Sequence, residues 1–184
     1  MAKLVSKTYG EALYEVAMES GEDKAIQLME EIKGLMEILE ENPDFDRLMK
    51  HPGIAKQEKL QVIENVFKGR VSTELEGFLN IVVSKERYNE LPAIFAYFTD
   101  RVKEQLKIGV AYVTSAVELS ESQKEAVKAK LLETTNYREI EPVYEVDSAL
   151  IGGMIIRING RVVDSSIRTK LDGLTKQLLS VQLG

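Results

Sequence analysis

The chain has 184 residues, with 24 basic and 30 acidic side chains, one histidine and no cysteine. Without thiols there can be no disulfide, iron–sulfur ligation or cysteine nucleophile, and one imidazole excludes a histidine-rich zinc site. Apolar residues at 44% and charged residues at 29% are ordinary for a globular protein, and a chain this long buries enough surface to fold without staples.

The first fifteen residues carry no apolar h-region, so no signal peptide is expected. The longest apolar run, Ala149 to Ile156, falls well short of the roughly 20 residues that cross a bilayer. The expectation is a soluble protein held at a membrane only through others.

Val5, Tyr9, Ala12, Leu13 and Val16 make a helical stripe that ends at Ser20-Gly21. A second stripe runs through Ala25, Leu28, Met29, Ile32, Leu35, Met36 and Leu39. Asn42-Pro43 predicts an N-cap with proline at the first helical position, opening a short helix through Leu48 that Pro52-Gly53 breaks. Ile54 to Phe67 reads as a fourth helix stopping at Gly69. Thr73 with Glu76 reads as a capping box for a fifth, carrying Leu75, Phe78, Leu79, Val82 and Val83. Pro92 sits early in a sixth, with Ile94, Phe95, Phe98, Val102 and Leu106 on its apolar face. Short connections between such helices predict a six-helix bundle.

Near residue 106 the period changes from 3.6 to 2. The charge balance changes there too: the first part carries the whole net of −6 and the remainder is neutral. Two domains follow, 1–105 and 106–184. In the second, Ile108 to Val117 predicts a strand, and Ser120 with Gln123 a capping box for a helix bearing Ala126, Val127 and Leu131. Tyr137 to Val146 reads as extended, with Pro142 marking an edge strand. Asn159-Gly160 between Met154–Ile158 and Arg161–Asp164 predicts a type I′ hairpin in which Ile156 faces Val163 and Arg157 faces Val162. Arg157 and Asp164 then share a face as diagonal neighbours. Asp164-Ser165-Ser166 caps a last helix carrying Ile167, Leu171, Leu174, Leu178 and Leu179. The fold class is mainly α: six helices, then a small α+β domain of order β-α-β-β-α.

No catalytic constellation emerges, and no metal or cofactor is called for. Neither a phosphate-binding glycine motif nor a nucleophile elbow is present, and Gly152-Gly153 precedes a strand rather than a helix. The pair reads as a bend where backbone approaches backbone. His51, between two helices, reads as a surface loop residue. The acidic first domain has the wrong sign for nucleic acid, and Arg157, Arg161, Arg168 and Lys170 make only a local basic group. What the helices do offer is surface. On the fifth helix Gly77 and Ile81 fall opposite the apolar arc as a shallow notch, and on the first Tyr14 and Met18 stack away from the main stripe. Such faces are either second buried faces or a groove for a partner helix.

The run from Leu150 through Ile158, followed by Val163 to Ile167 and Leu171, resembles the C-terminal signature of the ATP synthase delta subunit family, which includes the mitochondrial oligomycin-sensitivity-conferring protein. Tyr9-Gly10-Glu11-Ala12-Leu13 with Ala17 is similar to the family's opening helix, and Arg87 to Pro92 to its lead-in to the sixth. One departure is Gly10, where the family usually has alanine; a glycine inside a helix costs about 1 kcal/mol.

The resemblance implies a non-catalytic stator of the rotary proton-translocating ATP synthase, coupling proton transport to ATP synthesis. It implies that the N-terminal domain grips alpha-subunit N-termini on the catalytic alpha/beta head, through Tyr9, Ala12 and Leu13 on the first helix and Gly77, Phe78 and Ile81 on the fifth. It implies that the C-terminal domain, with signature residues Gly152, Gly153, Arg157, Asp164 and Ser166, meets the b-subunit stalk. The expected place is peripheral, on the cytoplasmic face of a bacterial cell membrane, with no direct membrane insertion and no nucleic acid. Two rivals stand beside this reading: an acidic helical adaptor for nucleic acid or protein, and a small hydrolase using His51.

Overall fold

The computed structural model describes residues 2–169 and 171. The chain is mainly helical with one four-stranded sheet, and it separates into two compact units with the division between Gln105 and Leu106.

Unit 1 holds α1 (Ala2–Glu19), α2 (Glu22–Glu41), α3 (Pro43–Lys50), α4 (Lys56–Phe67) and α5 (Thr73–Ser84). A 3-10 turn at Tyr88–Glu90 leads into α6 (Leu91–Leu106). The core gathers Leu13, Leu28, Ile32, Ile63, Leu75, Leu79, Val82, Ile94, Phe95 and Phe98. Burying side chains of this size gives each roughly 1.5–3 kcal/mol, which is what holds short helices together.

Three local expectations need correction. Of the expected α1 stripe only Leu13 is buried; the buried face runs through Ser6, Gly10, Leu13 and Ala17, about 100° round the helix from Val5, Tyr9, Ala12 and Val16. Gly10 is the reason. A Cβ there would stand 2.6 Å from Tyr97 Cδ1 and 3.1 Å from the Ile94 carbonyl oxygen, so a bare backbone lets α1 lie directly against α6. The propensity lost at a helical glycine is returned as close packing.

The cap of α5 is Ser72, whose hydroxyl accepts from the Leu75 N–H, rather than Thr73 with Glu76. Glu31 of α2 accepts from the Ser72 N–H at 3.0 Å, so the cap is fixed from outside its own helix. At α3 proline does stand in the first turn, but the Asn42 side chain donates back to the Ile38 carbonyl and does not cap forward.

Unit 2 begins with β1 (Ile108–Ser115), followed by α7 (Glu121–Thr134) under the expected Ser120–Gln123 capping box. Then come β2 (Glu139–Val146), β3 (Met154–Ile158) and β4 (Arg161–Asp164). The sheet order is β2-β1-β3-β4, with β1 and β2 parallel and the other pairs antiparallel. The strand count is therefore one more than β-α-β-β-α allows: β2 pairs with β1 while both hairpin strands extend the other side. Pro142 lies on the edge strand β2, where its missing N–H leaves no ladder bond unmade.

Asn159 and Gly160 both have positive φ, as a type I′ turn requires, and the register sets Ile156 against Val163 and Arg157 against Val162. Ala111, Leu131, Ile140 and Ile158 form a small core, supported by Val127, Leu132, Tyr137 and Ile156. After β4 a helical turn starts at Ile167; Leu174, Leu178 and Leu179 lie outside the described residues.

Candidate functional site

The six residues singled out on α1 and α5 divide by depth. Leu13 is 2% exposed and Phe78 8%, with the Phe78 ring 6.2 Å from that of Phe95; both belong to the core. Tyr9 is half-buried, and Ala12, Gly77 and Ile81 are exposed, Ile81 by 52%. A Cβ on Gly77 would meet no described atom within 4 Å, so the position faces open space. The two helices touch. The accessible surface is thus Tyr9 and Ala12 on one helix and Gly77 and Ile81 on the other. Val5 and Val16 extend the α1 stripe, half-buried and exposed respectively. This apolar stripe flanks the buried one, and its Ala12 and Val16 are exposed. The glycine at position 10 was the signal in the sequence that displaced the core face.

A polar clamp sets the position of α1. Glu11 accepts from the Tyr97 hydroxyl at 2.6 Å and from Arg101 Nε and Nη2 at 3.3 and 3.2 Å. Arg101 also donates to Glu104 at 2.8 Å and lies 4.9 Å from the Tyr14 ring centroid. The Tyr97 hydrogen bond first, then Arg101, holds the Glu11 carboxyl below its ordinary value of 4.5. A carboxylate depressed in the folded state stabilises it above pH 4.5, and that contribution is lost as pH falls through the lower folded value. Glu11→Gln is expected to lower the melting temperature at pH 7 and to flatten the decline below pH 4.5. Melting curves of both proteins between pH 7 and 3 check this; parallel declines would remove the clamp from the acid response.

In unit 2 four of the signature residues, Gly152, Gly153, Asp164 and Ser166, meet around one backbone crossing. Gly153 has φ +78, and a Cβ there would lie 2.4 Å from the Ser165 carbonyl oxygen and 3.0 Å from Ser166 Cα. The Ile167 N–H donates to the Gly152 carbonyl at 2.9 Å, and the Ser165 N–H to the Met154 carbonyl at 3.0 Å. Asp164 accepts from the Ser166 N–H at 2.9 Å and the Thr169 hydroxyl at 2.7 Å, and these bonds depress its carboxyl. Ser166 is buried and its hydroxyl accepts from the Thr169 N–H. Asp164 thus serves the helical turn, while Arg157, a diagonal neighbour on the same sheet face, is exposed.

His51 Nδ1 accepts from the Gly53 N–H at 3.0 Å, closing the α3–α4 loop on itself. Among the described residues no group of three or more His, Asp or Glu side chains is placed to hold a metal ion. Arg157, Arg161 and Arg168 are exposed, and Lys170 lies outside the described residues. No helix among the described residues is long and apolar enough to cross a membrane. The geometry supplies surfaces and rigid supports.

Comparison with known proteins agrees over the full chain. The family model described as ATP synthase delta (OSCP) subunit matches residues 5–178. The ATP synthase subunit delta of Lachnoclostridium phytofermentans is 52% identical over 184 residues, covering all of both chains. That of Desulforamulus reducens is 36% identical over 177 residues and 96% of each chain. A chain in the Toxoplasma gondii mitochondrial ATP synthase hexamer shares the fold, with a TM-score of 0.69 at 16% identity over 95% of this chain and 97% of that one.

Proposed function

Because the chain belongs to the ATP synthase delta (OSCP) subunit family, a peripheral-stalk subunit that does no chemistry of its own, we propose that it joins the catalytic head to the b-subunit stalk through its two units. In this reading the six helices of residues 1–105 act as one bundle and grip the N-terminal helix of an alpha subunit. Residues 106–184 meet the b subunits. The protein then sits peripherally at the cytoplasmic face of the membrane, holding the alpha/beta head against the torque of the rotor.

The observation that carries the first half is the apolar stripe on α1, exposed at Ala12 and Val16, together with the exposed Gly77–Ile81 notch on α5, a helix that touches α1. A helix laid there would bury apolar side chains on both elements. The Glu11–Tyr97–Arg101 clamp supports the same reading, since a loaded α1 has to be tied to the rest of its unit. Immobilised full-length chain, incubated with a gentle detergent extract of membranes holding the complex, is expected to retain alpha, beta and b subunits together. Retention of alpha and beta without b would remove the stalk contact; retention of none would overturn the reading.

A further inference from the structure

One end of the sheet in unit 2 carries apolar side chains that stay exposed among the described residues. Val146 ends β2 opposite Ser115, the last residue of β1, and Met154 opens β3 against the same Ser115. Val117 follows two residues after Ser115, whose hydroxyl donates to the Val117 carbonyl at 2.7 Å. Ile151 stands three residues before Met154. Val117, Val146 and Ile151 are therefore gathered at one sheet end, exposed by 69%, 60% and 65%.

Ile151 is also strained. Its φ is 66° and ψ −35°, a conformation close to the strained γ-turn and one that β-branched residues almost never adopt. The turn before it is firmly made: Asp147 accepts from the Ala149 N–H at 2.9 Å, the Ile151 N–H donates to the Ser148 carbonyl at 3.1 Å, and Leu150 is buried beneath. Glycine would fit position 151 without strain, and glycines follow at 152 and 153. An isoleucine there, mostly exposed, holds strain that little packing among the described residues offsets.

Acidic side chains predominate at the rim of this patch, where Lys124, close enough to Glu118 to feel its charge, is itself paired with Glu121. Glu118, Glu145 and Asp147 are all exposed, and neither 116–119 nor 145–151 contains a lysine or arginine.

We propose that Val117, Val146 and Ile151 form the docking surface for the end of a stalk helix that carries apolar side chains flanked by lysine or arginine. The inference rests on the stalk reading above and specifies where on unit 2 the contact is made. Apolar anchors at the centre supply affinity, and the acidic rim selects a basic partner and speeds its approach.

The test is titration of the full-length chain with a soluble C-terminal fragment of the b subunits, at low and high salt. Ile151→Gly is expected to bind about tenfold more weakly while melting no lower than wild type, because the strain is relieved. Val146→Asp is expected to lose at least as much, and binding by wild type to weaken as salt rises. Wild-type affinity in both variants would overturn the patch while leaving the stalk reading intact. Failure of the wild type to bind the fragment would overturn both. Two other outcomes would also refute the proposal, by giving the patch a different occupant. One is self-association of the wild type that Val146→Asp abolishes. The other is fragment binding that appears only after removal of residues 172–184.

Discussion

Gly153→Asp is expected to unfold unit 2 while leaving unit 1 intact, with a loss of about 3 kcal/mol or more in the stability of the sheet. Two costs add. A residue with a Cβ at φ +78 pays roughly 1–2 kcal/mol for left-handed backbone. The Cβ itself would lie 2.4 Å from the Ser165 carbonyl oxygen, and overpacking of that kind costs typically 1–3 kcal/mol. Neither can be relieved locally. The obstructing atoms are backbone, pinned by the Ser165 N–H to Met154 and the Ile167 N–H to Gly152. The aspartate carboxylate would also stand beside a carbonyl oxygen, which repels it. Hydrogen exchange separates the effect by unit: protection should fall across β1 to β4 and persist in α1 to α6. In membranes, ATP-driven proton pumping should fall while hydrolysis by the detached head continues. Unchanged exchange in β3 and β4 would mean that the crossing yields, contrary to its bonding.

How much of this was legible in the sequence depends on how local the cause is. The Asn159-Gly160 hairpin, its register and the Ser120–Gln123 box were readable because each is decided within a few residues. The bend at Gly152-Gly153 was readable as a close approach, though not what it approaches, since Ser165 is set by the hairpin register. On α1 apolar content picks out Leu13 rightly but also favours Val5, Tyr9 and Val16, whereas the actual face is chosen by Gly10 meeting Tyr97 far along the chain. The α5 cap lies at Ser72 for a similar reason, a bond that its N–H donates to Glu31 in another helix. The six residues proposed for the grip were named as a group from the resemblance, while the helical wheel already set Phe78 on the apolar arc opposite Gly77 and Ile81; Leu13 and Phe78 lie in the core. Even the strain at Ile151 leaves no mark in composition, because φ is fixed by the turn that closes over buried Leu150.

Gly77→Leu is expected to weaken binding of a peptide copying the alpha N-terminus by about 1–3 kcal/mol, roughly five- to 150-fold, without unfolding unit 1. The wheel sets residue 77 opposite the arc of Leu75, Phe78, Leu79, Val82 and Val83, all of which are buried. Open space around its would-be Cβ means that a leucine there has room in the free protein, so stability should change little. Helix propensity even favours the change by several tenths of a kcal/mol or more. The clash arises only when a partner helix lies close to the bare backbone beside Ile81. Gly77→Ala should accordingly cost less than Gly77→Leu, because it narrows the notch and does not fill it. Ile81→Ala should weaken binding by truncating an anchor, whereas Phe78→Ala should lower the melting temperature first, because that ring packs inside against Phe95. Calorimetric titration of the peptide, with circular dichroism as folding control, distinguishes these cases. Equal affinities for wild type and Gly77→Leu would remove α5 from the grip. A loss of helicity in Gly77→Leu would instead place residue 77 inside the packing, against the open space that the structure shows around it.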